Sequence, residues 1–187
     1  MWRGKQAIFR TIHGKQSGMT QRVFGITGWK NSGKTTLTEK LVAEFSRRGL
    51  KVSTVKHAHD SFDIDKEGTD SFRHRTAGAS EVAIVSSNRW ALMHEMRGEK
   101  EPALKEILAC LSPCDLVLVE GFKKDRHEKI ECRRADARDH SPLSAPSIVA
   151  IASDHPLKNE ARPVFALDDV PTIADFIQRR TGLSPRS

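Results

Sequence analysis

The chain has 187 residues, of which 37% are hydrophobic and 29% charged, so we expect one folded domain with short tails. These shares exclude a chain that is disordered throughout, and no apolar run approaches the roughly 20 residues of a membrane helix. The net charge of +7 suits an acidic partner, but residues 1–38 contain no acid and account for the excess. We therefore do not expect nucleic acid as a partner.

Residues 1–18 are basic and show no periodic pattern, and a second methionine, Met19, precedes the first predicted strand. We interpret this segment as a disordered extension, or as the result of a start codon placed too early, before a domain that covers residues 19–187. A targeting peptide and a nucleic-acid-binding arm are the alternatives. The segment lacks the apolar core of a secretory signal, and the three cysteines form no CxxC pair, which predicts a cytoplasmic protein.

The folded part alternates short apolar strands with helices. Strands are predicted at 22–27, 50–57, 81–87, 89–96, 115–120, 129–134, 147–153 and 163–167, and helices at 37–45, 69–79, 102–111 and 172–180. This alternation predicts an α/β fold with a largely parallel sheet and helices on both faces. The adjacent strands at 81–87 and 89–96 predict a β-hairpin insertion.

The stretch GWKNSGKTT, residues 28–36, lies between the first predicted strand and the first predicted helix. It satisfies G-x-x-x-x-G-K-[ST], the phosphate-binding loop of P-loop NTPases. Its glycines let backbone N–H groups point at phosphates, Lys34 reaches the β and γ phosphates, and the Thr35 hydroxyl binds Mg²⁺. The predicted nucleotide-binding residues of the loop are Gly28, Asn31, Ser32, Gly33, Lys34, Thr35 and Thr36.

Two acids follow buried strands and are candidates for the rest of the nucleotide site. Glu120 ends the strand at 115–120, and ligands gather at the carboxyl ends of parallel strands, so Glu120 is the predicted magnesium-side carboxylate and Asp115 only begins the strand. The N-K-x-D motif for guanine is absent. Asp154 either accepts hydrogen bonds from guanine or caps the turn before Pro156. These residues leave GTP and ATP undecided, and no catalytic residue that orients water is identified.

A polar segment, VKHAHDSFDIDKEGTDSFRHR, follows the second predicted strand. In a P-loop protein this is the place of the loop that senses the γ-phosphate. The pairs His57 with His59 and Asp63 with Asp65 would each share one side of an extended chain, so zinc or nickel binding is an alternative. A solvated polar loop is the third interpretation. The other candidates in this segment are Lys56, Asp60, Asp70, Arg73, His74 and Arg75.

With the loop motif, this polar segment and the strand end VEGFK at 119–123, the chain resembles the molybdopterin-guanine dinucleotide biosynthesis protein B family, MobB. The resemblance extends from about residue 22 to residue 180. It implies a GTP-binding protein with weak magnesium-dependent GTPase activity. It also implies a homodimer that acts as an adapter for the guanylyltransferase that joins GMP to molybdopterin. By position, residues 28–36 become the phosphate site, Glu120 belongs to the magnesium region, and Lys123 follows it in the signature.

The resemblance also suggests a second ligand, because molybdopterin carries a phosphate. Arg73, Arg75, Lys123 and Lys124 are candidates to attract it, or they form a solvated basic face. Two other functions remain open. One is a nucleotide-dependent metallochaperone that holds a metal through His57, His59 and His74, and the other is a small-molecule kinase.

Overall fold

The computed structural model describes residues 21–58, 62–139 and 141–184. The predicted extension at 1–18 and the candidates His59 and Asp60 lie outside the described residues. The chain divides into a larger unit, Met1–His57 with Leu104–Ser187, and a smaller unit, Ala58–Ala103. In chain order, the elements are β1 (Val23–Gly28), α1 (Lys34–Arg47), β2 (Val52–Lys56), α2 (Asp70–Thr76), β3 (Glu81–Val85), β4 (Trp90–His94), α3 (Leu104–Cys110), β5 (Leu116–Glu120), β6 (Lys129–Arg133), β7 (Ile148–Ser153), β8 (Val164–Ala166) and α4 (Val170–Thr181).

The described part of the larger unit contains a six-stranded sheet in the order β2-β5-β1-β6-β7-β8. Every neighbouring pair in this sheet is parallel. β1 is central, between β5 and β6, so the chain leaves the middle of the sheet when it enters the phosphate loop. The predicted α/β fold with a parallel sheet, the P-loop NTPase arrangement, is confirmed.

Helices cover both faces of this sheet. Alternate residues of β5 point to opposite faces: Leu116 and Leu118 belong to a buried cluster with side chains of α1 and α4. Val117 and Val119 belong to a second cluster with Leu104 of α3. The uniformly apolar sequence of β5 thus results from burial on both faces, as expected for a central parallel strand.

β6 is a central strand with a polar sequence. It lies between β1 and β7, and the side chains of Lys129 and Glu131 are fully buried. Glu131 accepts a hydrogen bond from the backbone N–H of Leu143 at 3.1 Å and pairs with Arg133 at 2.7 Å. Buried charges require such partners, so β6 is a central strand in which the carboxylate of Glu131 has partners inside the protein.

The smaller unit contains α2 and an antiparallel hairpin, in which Glu81 lies opposite His94 and Val85 opposite Trp90. The predicted hairpin insertion is confirmed, with strands shorter than expected because the chain turns at Ser86. Thr69 caps α2, since its hydroxyl accepts a hydrogen bond from the N–H of Phe72. Among the described residues of the chain, no helix is both long and apolar enough to cross a bilayer.

Candidate functional site: the phosphate loop and the end of β5

The phosphate loop is a tight turn between β1 and α1. Gly28 has φ 144° and Gly33 has φ 91°, conformations that side chains with a Cβ rarely adopt. A Cβ on Gly28 would lie 2.4 Å from Ser32 Oγ and 2.6 Å from the carbonyl oxygen of Cys132. Only glycine therefore fits at the start of the loop. Asn31, another predicted site residue, is exposed and also has positive φ, 63°.

Two polar side chains at the loop are buried without a hydrogen-bond partner among the described residues: Ser32 Oγ and Thr27 Oγ1. Buried polar atoms in proteins are nearly always satisfied. Backbone N–H groups at the start of α1 add the positive end of a helix. A loop with unsatisfied polar groups beside a helix N-terminus fits a bound phosphate.

Lys34, the motif lysine, lies back over its own loop. Its Nζ donates a hydrogen bond to the carbonyl oxygen of Trp29 at 2.5 Å. Burial lowers the pKa of Lys34, and the nearby Cys132 and Glu120 partly oppose this shift. An ammonium held inside the loop is in the region where β and γ phosphates bind in P-loop proteins.

The structure brings Thr35 and Glu120 together. Thr35 Oγ1 donates a hydrogen bond to Glu120 Oε1 at 2.8 Å, although the two residues are 85 positions apart in the sequence. Lys56 Nζ lies 3.6 Å from the same carboxylate oxygen, and Glu120 is buried. A hydroxyl and a carboxylate are the hard oxygen ligands that Mg²⁺ prefers, so the donor set fits the predicted ion.

Asp154 follows β7 at the surface, and both of its carboxylate oxygens have partners. Oδ1 accepts from the N–H of Ala135 and contacts His155 Nδ1, each at 2.8 Å, and Oδ2 accepts from Arg134 Nε at 3.4 Å. The hydrogen bond with His155 lowers the pKa of Asp154, as do those from Ala135 and Arg134, whereas desolvation opposes the shift. In this arrangement Asp154 holds the segment after β6, and its guanine-reading role stays a prediction.

The candidates of the polar segment separate into two places. His57 follows β2, and its ring centroid lies 4.9 Å from that of Phe122 in the segment after β5. In the smaller unit, Arg75 donates to Asp63 at 2.9 Å and to Asp65 at 2.8 Å. The two predicted aspartate ligands therefore pair with Arg75, itself a predicted ligand residue. Among the described residues, no three His, Cys, Asp or Glu side chains form a metal-binding group.

The remaining basic candidates differ in their surroundings. Arg73 is exposed on α2 and lies 3.8 Å from Asp70, and Lys124 is exposed. Lys123 is partly buried, with Nζ 3.9 Å from the ring centroid of Trp29. Thr36 is exposed in the first turn of α1. Lys123 is thus the predicted partner residue that lies against the phosphate loop.

Sequence reasoning missed two residues that shape the site, Trp29 and Lys129. The indole Nε1–H of Trp29 donates to the carbonyl oxygen of Ser141 at 2.7 Å. The buried Nζ of Lys129 donates to the carbonyl oxygens of Phe122 at 3.2 Å and Asp125 at 2.6 Å. Trp29 could have been predicted as a site residue because it lies inside the loop motif. No sequence pattern around Lys129 indicated that its side chain is buried.

Comparison with known proteins agrees with these features. The family described as "MobB: Molybdopterin guanine dinucleotide synthesis protein B" matches residues 23–154, which include the phosphate loop and Glu120. The chain belongs to this family. A molybdopterin-guanine dinucleotide biosynthesis adapter protein of Haemophilus influenzae is 40% identical over 159 residues, which cover 83% of this chain and 87% of that protein.

Other MobB relatives give the same result. The adapter protein of the same name from Escherichia coli is 37% identical over 160 residues, covering 83% of this chain and 90% of the relative. The crystal structure of a MobB homologue from Bacillus stearothermophilus superposes with a TM-score of 0.64 at 31% identity, covering 86% of this chain and all of that one. The MobB fold is therefore shared along most of the described chain.

Proposed function

We propose that this MobB-family chain is a GTP-binding protein with weak magnesium-dependent GTPase activity that acts as an adapter in molybdopterin-guanine dinucleotide biosynthesis. The observation that carries the proposal is the hydrogen bond between Thr35 of the phosphate loop and Glu120 at the end of β5. The two oxygens that we propose as magnesium ligands are thus within hydrogen-bond distance, and the partly buried Lys34 directly precedes Thr35. The names of the relatives support the adapter role.

Nucleotide binding is tested by calorimetry with GTP, GDP and ATP in the presence of Mg²⁺. We expect GTP to bind more tightly than ATP, and Lys34→Ala to weaken GTP binding about 100-fold, because it removes charge-assisted hydrogen bonds to phosphate. Lys40→Ala is the matched control, since Lys40 is exposed on the same helix. A preference for ATP would overturn the guanine assignment, and unchanged affinity in Lys34→Ala would overturn the phosphate site.

The magnesium role is tested separately with Glu120→Gln, which keeps the shape of the side chain and removes its charge. We expect this variant to lose the Mg²⁺ dependence of GTP binding while it retains GDP binding measured without metal. Glu39→Gln, an exposed acid on α1, is the control. Equal Mg²⁺ dependence in Glu120→Gln and the wild type would show that Glu120 is not part of the ion's surroundings.

The proposed protein partner is the guanylyltransferase that joins GMP to molybdopterin. We also propose that the chain acts in the cytoplasm, because its three free cysteines would stay reduced there. Pull-down of purified guanylyltransferase with and without GTP tests this step. We expect the two proteins to associate, with an affinity that depends on the nucleotide. Association neither with nor without GTP would overturn the partner assignment.

We also propose that the chain forms a homodimer through the hairpin of the smaller unit. β3 and β4 pair only with each other among the described residues, and an isolated hairpin is marginally stable in water. Large apolar side chains of the hairpin are exposed, with Val85 76% and Trp90 53% exposed, whereas Val82 is buried. In a two-fold symmetric interface the same surface patch of each copy contacts the other copy. The hairpin of a second copy would therefore cover these apolar side chains with its own.

Sedimentation of the wild type and of a Val85→Ser, Trp90→Ser double variant tests the dimer. We expect a dimeric wild type and a monomeric variant with an unchanged circular dichroism spectrum. Lys100→Ser, an exposed polar position of the same unit, is the control and should stay dimeric. A monomeric wild type would overturn the proposal, and a dimeric double variant would move the interface elsewhere.

A further inference from the structure

Trp29 joins three segments of the larger unit. Its carbonyl oxygen accepts the hydrogen bond from Lys34 Nζ at 2.5 Å. Its indole Nε1–H donates to the carbonyl oxygen of Ser141, in the segment after β6, at 2.7 Å. Its ring lies under Lys123, in the segment after β5, with Nζ 3.9 Å from the ring centroid. One side chain thus ties the phosphate loop to its neighbours on both sides.

The segment that carries Lys123 is itself held tightly. Gly121 and Phe122 have successive positive φ values of 92° and 44°, which is uncommon for a phenylalanine. Residues in such conformations persist only where the surroundings over-determine them. Here the N–H of Gly121 donates to the carbonyl oxygen of Ile26 at 3.0 Å, and the fully buried Lys129 binds the carbonyl oxygens of Phe122 and Asp125. The backbone of Lys123 is therefore anchored beside the phosphate loop.

The charge of Lys123 has two possible uses at this position. A lysine that contacts phosphate directly would contribute to nucleotide affinity whatever residue stands at position 29. A lysine that stacks on an indole acts on the loop, because a cation over an aromatic face stabilises the conformation of both side chains. The distance of 3.9 Å to the ring favours the second use, since the ammonium is already engaged with Trp29.

We propose that Lys123 and Trp29 are a pair of positioning residues that hold the phosphate loop in its nucleotide-binding conformation, with Lys123 acting through Trp29 and not on the phosphates. The inference rests on the proposed GTP-binding function. Its physical basis is preorganisation: a loop already held in the bound conformation loses less conformational freedom when the nucleotide arrives. The hydrogen bond to Ser141 adds a second anchor to the same side chain.

A double-mutant cycle on GTP affinity separates the two uses of Lys123. We expect Lys123→Met to weaken GTP binding about 2- to 5-fold, the usual strength of an exposed cation–π contact. Trp29→Ala also loses the bond to Ser141, so its expected effect is about 10- to 20-fold. In the Trp29→Ala background, Lys123→Met should have no further effect. Lys124→Met, on the exposed neighbouring lysine, is the control for a general loss of positive charge.

Two conservative variants test whether the positive charge of Lys123 and the aromatic ring of Trp29 are the features that affect GTP binding. Lys123→Arg keeps the cation over the ring and should restore wild-type affinity. Trp29→Phe keeps a ring and loses the indole N–H, so Lys123→Met should still cost about 2- to 5-fold in that background. Trp29→Phe also protects the test if Trp29→Ala fails to fold, which thermal denaturation would reveal.

The outcomes are distinct. Equal losses from Lys123→Met in the wild-type and Trp29→Ala backgrounds would mean that Lys123 contacts the nucleotide directly, and would overturn the inference. GTP binding that is unaffected by Trp29→Ala would overturn it as well, while leaving the proposed function intact. Failure of the wild type to bind GTP would overturn the proposed function itself.

Discussion

The two units of the chain use charged and apolar side chains in opposite ways. The larger unit buries charged groups in the central strands of its sheet, where Glu120 is 7% exposed and Lys129 fully buried. The smaller unit exposes apolar ones, with Val85 76% and Trp90 53% exposed on its hairpin. Burial of charge in the first case agrees with the proposed nucleotide site, whereas exposure of apolar surface in the second suits contact with another molecule.

The carboxylates of the two units differ in the same sense. In the smaller unit, Asp63 and Asp65 both form ion pairs with the guanidinium of Arg75, so their charges contribute to the local structure. In the larger unit, the nearest partner of Glu120 is the hydroxyl of Thr35 at 2.8 Å, and the ammonium of Lys56 is 3.6 Å away. Glu120 therefore has a hydroxyl as its nearest partner and a more distant ammonium, whereas Asp63 and Asp65 share one closely placed guanidinium.

The largest expected difference concerns glycines with positive φ in each unit. Gly28→Ala should destabilise the chain by about 3–5 kcal/mol and abolish GTP binding, since it combines backbone strain with a clash against Ser32 and Cys132. Gly68→Ala in the smaller unit meets no atom within 4 Å and should cost only about 1 kcal/mol. Urea denaturation measures the free energy of unfolding of both variants. A similar destabilisation by Gly28→Ala and Gly68→Ala would contradict the predicted difference between the units.

The next contrast compares two strand isoleucines. Ile26 in β1 is fully buried, whereas Ile84 in β3 is 41% exposed. Ile26→Ala should cost about 3 kcal/mol because it leaves a cavity in the core, and Ile84→Ala less than about 1 kcal/mol in the monomer. The test is the free energy of unfolding of each variant, measured at a protein concentration too low for copies to associate. A large loss from Ile84→Ala would mean that the hairpin is covered.

Arg75 tests whether the smaller unit depends on its ion pairs. Asp65 has a side chain only 3% exposed, so Arg75→Met would leave a buried carboxylate unpaired, at a cost of about 2–3 kcal/mol. We expect faster amide hydrogen exchange in β3 and β4 with no change in β1 and β5. Arg73→Met is the control, because Arg73 is exposed. Equal acceleration in both units would show that the ion pairs support the whole chain.

The smallest expected effect is a pH dependence from the larger unit. Burial, helped by the charge of Lys129 and opposed by Asp125, lowers the pKa of His127 from 6.5 to about 4. The unfolded chain takes up this proton near pH 6.5 and the folded chain does not, so stability present above pH 6.5 is lost as the pH falls towards 4. We expect a loss of about 1.5 kcal/mol between pH 6.5 and 5 that is absent in His127→Leu. Parallel pH curves for the two proteins would contradict this.

Local patterns were enough to predict the succession of strands and helices, because each depends on residues close in sequence. The apolar run of β5 and the hairpin of the adjacent strands β3 and β4 are examples. The same reasoning placed Asp115 at the start of its strand, where its carboxylate accepts a hydrogen bond from the N–H of Lys51 at 2.7 Å. Helices in the connections explain the parallel direction of β1, β2 and β5, whereas in the described residues β5 to β8 follow one another without a helix, so their parallel pairing was not evident from this pattern.

Contacts between distant segments could not be predicted in this way. The polar sequence of β6 gave no sign that Lys129 is fully buried, because burial depends on which strands lie on either side. Asp63, Asp65 and Arg75 have residue types that suit ligand binding, and only their mutual distances show that they pair with each other. Residue type alone does not separate a ligand from a salt-bridge partner.

The sequence by itself determined the fold class, the phosphate loop and the family, since all three reside in local spacing and in motifs that are short and specific. The tertiary structure decided which of the candidate side chains meet. It joins Thr35 to Glu120 and Trp29 to Lys123, residues that approach one another only because β1 and β5 are parallel neighbours whose carboxyl ends share one edge of the sheet.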